Sequence, residues 1–129
     1  MKKLKVIAML SAIFTCIFTG CSAGAPATFE QITPEKAKAI MDSGSDFVIL
    51  DVRTEEEFAQ GHIKDAILIL DYEIEVKAKS ILKDKNQLIL VYCRSGRRSK
   101  LAAQTLVDMG YTNIKEFGGI IDWPYEIVI

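Results

Sequence analysis

Three short, unbroken apolar runs separated by stretches of helical spacing constrain this chain most: Phe47–Leu50, Ile67–Leu70 and Leu88–Tyr92. A strand with one wet face alternates apolar and polar residues, whereas a run without polar interruptions is buried on both sides. The intervening stretches carry helix punctuation. Thr33-Pro34-Glu35 opens a helix, with Thr33 as N-cap, Pro34 in the first turn and Ala37, Ile40 and Met41 as its apolar stripe; Asp42–Ser45 ends it. Thr54-Glu55-Glu56-Glu57 is a capping box, followed by Phe58 and closed by Gly61. Tyr72–Leu82 is a helical stretch with Ile74, Ala78, Ile81 and Leu82 inward. Ser99–Met109 is another, with Leu101, Ala102, Leu106 and Met109 inward and Gly110 as its stop. Phe29–Ile32 and Ile114–Phe117 add short strands. Strands alternating with helices predict a single α/β domain, a mainly parallel sheet with helices on both faces. Ligand sites in such sheets lie beyond the carboxyl ends of the strands.

The N-terminus reads as an address rather than as part of that domain. Met1–Lys5 is basic, and Val6–Phe18 is apolar apart from Ser11, Thr15 and Cys16. This 13-residue run is shorter than the roughly 18–20 residues a spanning helix needs, so residues 1–20 read as a secretory signal. Gly20-Cys21-Ser22 resembles the lipobox of bacterial lipoproteins, with Phe18 where an aliphatic residue is usual. That resemblance implies lipidation of Cys21, a tether over residues 21–28 and a domain over residues 29–129. Cleavage near Ala23 or Ala25 and an uncleaved anchor are the alternatives. The expected location is outside the cytoplasm, lipid-anchored on the outer side of the cytoplasmic membrane or in the periplasm. Without residues 1–20 the chain has 13 basic and 17 acidic residues, a net charge of −4. That sign gives no general attraction to nucleic acid, so anion binding requires a local basic cluster.

Cysteine usage points to that cluster. Cys16 leaves with the signal and Cys21 is capped by lipid, so Cys93 is the one free thiol expected after processing. It follows directly on the third apolar run, in Cys93-Arg94-Ser95-Gly96-Arg97-Arg98-Ser99, where a strand gives way to a helix N-terminus. Gly96 allows a tight turn on which backbone N–H groups converge, the following helix presents its positive end, and three arginines add charge. All three effects favour thiolate over thiol and would also bind an oxyanion.

Cys93–Ser99 resembles the active-site loop of the rhodanese domain. Asp51-Val52-Arg53, Glu57-Phe58 and Gly61-His62-Ile63 resemble that family's earlier signature, and Gly118-Gly119-Ile120 with Trp123 its last one. Lys64-Asp65-Ala66 stands where the family commonly has Pro-Gly-Ala. The resemblance implies a sulfurtransferase. Cys93 would take sulfane sulfur from thiosulfate or a similar small anionic donor as a persulfide and pass it to cyanide or a thiol, in ping-pong fashion. Arg94, Ser95, Gly96, Arg97, Arg98 and Ser99 would form the anion-binding loop, with Asp51 and Arg53 supporting it. Six residues from Cys93 to Arg98 match the sulfurtransferase loop; the related cell-cycle phosphatases carry one more, which disfavours phosphatase or arsenate reductase chemistry. The other reading is a non-catalytic or partner-dedicated module that carries or senses sulfur or redox state. His62, the one histidine, is expected in a structural loop hydrogen bond, and Trp123 in the core. Neither a cofactor nor a metal is implied, since no spaced His/Cys cluster exists, and a monomer is expected.

Overall fold

Every residue of the strand Ile89–Cys93 is buried, and parity decides which layer each one joins. Ile89, Val91 and Cys93 enter one apolar cluster with Leu50, Ile74, Ala78, Ala102 and Leu106. Leu90 and Tyr92 enter the other with Ile49, Ala37, Phe117 and Trp123. A strand sandwiched in this way has no polar face to offer, which is why its sequence lacks alternation.

The computed structural model describes residues 27–129. The signal, Cys21 and most of the tether lie outside the described residues. In chain order the elements are β1 (Glu30–Gln31), α1 (Pro34–Asp42), β2 (Val48–Asp51), α2 (Glu55–Gln60), β3 (Ile67–Leu68), α3 (Ile74–Ile81), β4 (Ile89–Cys93), α4 (Arg97–Asp108) and β5 (Ile114–Gly119). Single 3₁₀ turns lie at Asp71–Glu73 and Ile120–Asp122. The five strands are all parallel, in the order β1-β5-β4-β2-β3. Residues of α3 and α4 pack on one face and residues of α1 on the other. Strand β4, which carries Cys93, is central, so its carboxyl end opens between β5 and β2.

The helix starts follow their caps. Thr33 Oγ1 accepts the Lys36 N–H at 3.1 Å, with Pro34 in the first turn. Thr54 and Glu57 exchange hydrogen bonds at 3.1 and 3.4 Å, closing the capping box. Lys64-Asp65 turns with Asp65 at φ 66°, a left-handed conformation that a short Asp side chain tolerates, so this Asp does what a glycine would do there.

Some sequence expectations move. Helix α4 begins at Arg97 rather than Ser99, because Gly96 at φ 104° serves as its N-cap. Its buried side is Ser99, Ala102, Ala103, Leu106 and Val107; Leu101 falls across the helical wheel from these and is 65 % exposed. Ile81, expected inward, ends α3 and is exposed, while Leu82 leaves helical geometry and is buried in its place. Of Ile67–Leu70, only Ile67–Leu68 pairs as strand, at the sheet edge, although Ile69 is buried. Among the described residues, no helix is long and apolar enough to cross a membrane.

Candidate active site

The site is built where β4 stops. Strand β4 delivers Cys93 to the carboxyl end of the sheet, paired with Gly119 of β5 across a register shift. The chain then turns through Arg94-Ser95-Gly96 into α4. The turn brings the Gly96 N–H to 3.0 Å from Cys93 Sγ. The first-turn N–H groups of α4 have no intrahelical acceptors and lie in the same loop. On its other side the sulfur lies 3.3 Å from Ser99 Oγ. Cys93 itself is buried, at the base of the loop rather than on its rim.

Gly119 in β5 has a steric reason. A Cβ on Gly119 would lie 1.9 Å from the Arg94 carbonyl oxygen, far inside contact distance, so only glycine lets β5 pass beneath the loop. The same carbonyl accepts the Ile121 N–H at 3.2 Å, tying the loop to the 3₁₀ turn after β5.

The loop arginines separate into two kinds. Arg98 forms a two-pronged pair with Glu57 of α2, at 2.7 and 3.0 Å. That pair holds the Glu57 carboxyl at about 2, well below its ordinary 4.5, against the opposing effect of burial. Arg94 and Arg97 are exposed and form no ion pair among the described residues. Arg94 borders a cleft of about 260 Å³ whose other walls include Arg53, Gly61, Ile120 and Ile127.

Asp51 and Arg53 form a separate buried unit at the end of β2. Arg53 Nε and Nη2 reach Asp51 at 3.0 and 2.7 Å, the Arg53 backbone N–H adds a third bond at 2.9 Å, and Nη2 also donates to the Gly61 carbonyl at 2.7 Å. The unit fastens β2 to the end of α2 rather than touching the sulfur. Tyr92 adds to it: burial first, then the Asp51 charge, push its hydroxyl well above the ordinary 10. That hydroxyl stays protonated and accepts the Ile63 N–H at 3.1 Å.

Residues 33–124 match the family model of the rhodanese-like domain. The chain belongs to the rhodanese-like family. Among its relatives is the thiosulfate sulfurtransferase PspE of Escherichia coli (strain K12), 38 % identical over 73 residues, which are 57 % of this chain and 70 % of the relative. A protein of Allochromatium vinosum named sulfurtransferase is 35 % identical over 94 residues, 72 % of this chain and 86 % of the relative. Among solved structures, a rhodanese with anions from E. coli superposes with a TM-score of 0.59 at 36 % identity, over 63 % of this chain and 95 % of that one.

With the rhodanese-like fold in place, the remaining residues sort themselves. His62 stacks on Phe58 with ring centroids 3.7 Å apart, its Nδ1 lies 2.9 Å from the Phe58 carbonyl oxygen, and its backbone bridges to Val128. The sulfur's near polar partners are Gly96 and Ser99 instead. Trp123 is buried against Phe117. One residue of the site is absent from the sequence reading: Glu116 of β5, 2 % exposed, whose Oε1 accepts from Ser99 Oγ at 2.7 Å and from the Gly118 N–H at 2.7 Å. A sequence signal for it exists, since Glu116 has the same strand parity as the core residue Ile114.

Proposed function

We propose that this rhodanese-like chain is a sulfurtransferase in which Cys93 carries sulfane sulfur from thiosulfate, or a similar small anionic donor, to a thiophilic acceptor. The observation that carries this reading is the Gly96 N–H held 3.0 Å from Cys93 Sγ in a loop that opens onto a helix N-terminus. A hydrogen-bond donor and a helix dipole aimed at a sulfur stabilise negative charge on it, which both thiolate and persulfide require. Relatives named sulfurtransferases support the same assignment.

The first half-reaction forms a bond from Cys93 Sγ to the outer sulfur of thiosulfate. The donor's S–S bond breaks and its electron pair leaves on sulfite. The persulfide so formed is an anion at the base of the loop. In the second half-reaction cyanide or a thiolate attacks the outer sulfur, thiocyanate or a new persulfide departs, and the Cys93 thiolate returns. Arg94 and Arg97, whose charges are unspent, steer the dianionic donor; Arg98, committed to Glu57, holds α2 against the loop. Cys93→Ser is expected to abolish thiocyanate release from thiosulfate and cyanide with the circular dichroism spectrum unchanged; retention of most activity would remove Cys93 from the mechanism.

The second part of the proposal concerns place. Residues 1–20 direct export and Cys21 carries lipid, so the domain works at a membrane surface outside the cytoplasm. Membrane partitioning that is lost in Cys21→Ala supports this, and a wild-type protein found wholly in the soluble fraction with an unmodified N-terminus contradicts it.

A further inference from the structure

Glu116 is a buried carboxylate with no cation paired to it among the described residues. Its oxygens meet Ser99 Oγ and the Gly118 N–H at 2.7 Å each, and the amide of Gln31 on β1 at 3.5 Å. Among the described residues, no Lys, Arg or His lies within ion-pair distance of it. Lys115, its neighbour in sequence, pairs with Glu30, and Arg98 pairs with Glu57. A carboxylate buried without a counter-charge is costly, and sites that keep one generally use it.

What it faces is the nucleophile. Ser99 Oγ lies 2.7 Å from Glu116 Oε1 and 3.3 Å from Cys93 Sγ, so Ser99 links the other two side chains. A hydroxyl has a single proton, and its shortest contact in this site is to the carboxylate; the Gly96 and Gly118 carbonyls are farther, at 3.1 and 3.3 Å. With that proton directed at Glu116, Ser99 offers Cys93 a lone pair. It is then an acceptor for the thiol S–H and cannot also donate to a thiolate. The arrangement is a relay, Cys93 S–H to Ser99 Oγ–H to the Glu116 carboxylate.

We propose that Glu116 is a positioning residue that takes up the Cys93 proton through Ser99, so that the buried site holds one negative charge throughout. The inference rests on the sulfurtransferase reading and adds where the proton goes. While Cys93 carries its proton, the negative charge of the relay sits on Glu116. On activation the S–H bond breaks and its electron pair stays on sulfur. The proton passes to Ser99 Oγ as the Ser99 proton passes to Glu116 Oε1. The thiolate then attacks the donor, sulfite leaves, and Glu116 remains a neutral acid beside the persulfide anion. After the acceptor removes the outer sulfur, the thiolate recovers its proton along the same line. Two anions this close and this buried would repel strongly; one proton shared between them removes the conflict.

The test is infrared difference spectroscopy on the whole domain carrying ¹³C-glutamate. Cys93 is loaded chemically with polysulfide, so that the result does not depend on thiosulfate as donor, and intact mass confirms the added sulfur. Loading is expected to remove the S–H band and to create a protonated-carboxyl band that shifts with the ¹³C label. The band is expected to be absent in Glu116→Gln and in Cys93→Ser treated in the same way. A loaded wild-type protein without the carboxyl band overturns the relay, whatever Glu116→Gln does to folding. Failure of thiosulfate itself to load Cys93 would instead count against the donor assignment and leave the infrared result standing.

Discussion

Asp51, at the carboxyl end of β2, and Glu116, within β5, are both buried carboxylates on strands that flank β4, and they have opposite surroundings. Asp51 is met by the guanidinium and the backbone N–H of Arg53, so its charge is cancelled where it stands. Glu116 is met by a hydroxyl and an amide, and its charge is solvated but not cancelled. The first arrangement fixes geometry, since Arg53 also reaches the Gly61 carbonyl. The second connects the carboxylate through Ser99 to the Cys93 sulfur. Burial alone therefore does not distinguish scaffold from chemistry; the counter-charge does.

The largest effect that can break this comparison is on stability. Asp51→Asn leaves Arg53 buried beside a neutral amide and is expected to cost about 3–5 kcal/mol in denaturant melts. Glu116→Gln orphans no cation, and the new side-chain oxygen still accepts from Ser99 and Gly118. Gln31 can turn its amide to suit, so the cost is expected to stay within about 1 kcal/mol. A Glu116→Gln variant as unstable as Asp51→Asn would mean that Glu116 is structural.

Glu57 sharpens the comparison from a third position, since it is paired like Asp51 but lies nearer the surface. Its carboxyl sits at about 2 in the fold against 4.5 ordinarily, with the Arg98 hydrogen bond as the chief cause. The lowered value means that its contribution is complete above about pH 4.5 and is lost as pH falls toward 2. Acid titration of stability is expected to show this loss in wild type and not in Glu57→Gln. The difference should be under about 1 kcal/mol, because the pair is partly solvated. An identical acid limb in both proteins would show that the pair contributes nothing to the fold.

The smallest effect concerns the exposed arginines of the loop, Arg94 and Arg97. Arg97→Ala and Arg94→Ala are expected to raise KM for thiosulfate roughly two- to fivefold with little change in kcat, more so at low salt. Arg98→Ala is expected to act through the docking of α2 instead, with a stability loss matching that of Glu57→Gln. Equal KM for wild type and both variants would assign donor capture to the backbone of the loop alone.

Much of this was legible in the sequence because it depends on local chemistry. Unbroken apolar runs reported strands covered on both faces, Thr33 and Thr54 reported helix starts, and Cys93 to Ser99 reported a turn crowded with positive charge. What escaped depends on partners distant in sequence. Arg98 resembles its neighbours until Glu57, 41 residues away, is seen to hold it. Gly119 is part of a signature until the Arg94 carbonyl is found where its Cβ would stand. Leu101 read as core because it is apolar, although the small residues Ser99, Ala102 and Ala103 form the side that packs against the sheet. Glu116 is a polar residue of a short last strand, and its contact with Ser99, 17 residues away, ties it to the site.

The measurement that bears most directly on Cys93 as the sulfur carrier is intact mass of the domain after brief incubation with thiosulfate, followed by cyanide. One added sulfur is expected on wild type, located to the peptide containing Cys93, removed by cyanide with release of thiocyanate, and missing from Cys93→Ser. A wild-type mass unchanged by thiosulfate, or a sulfur adduct that persists in Cys93→Ser, would contradict it.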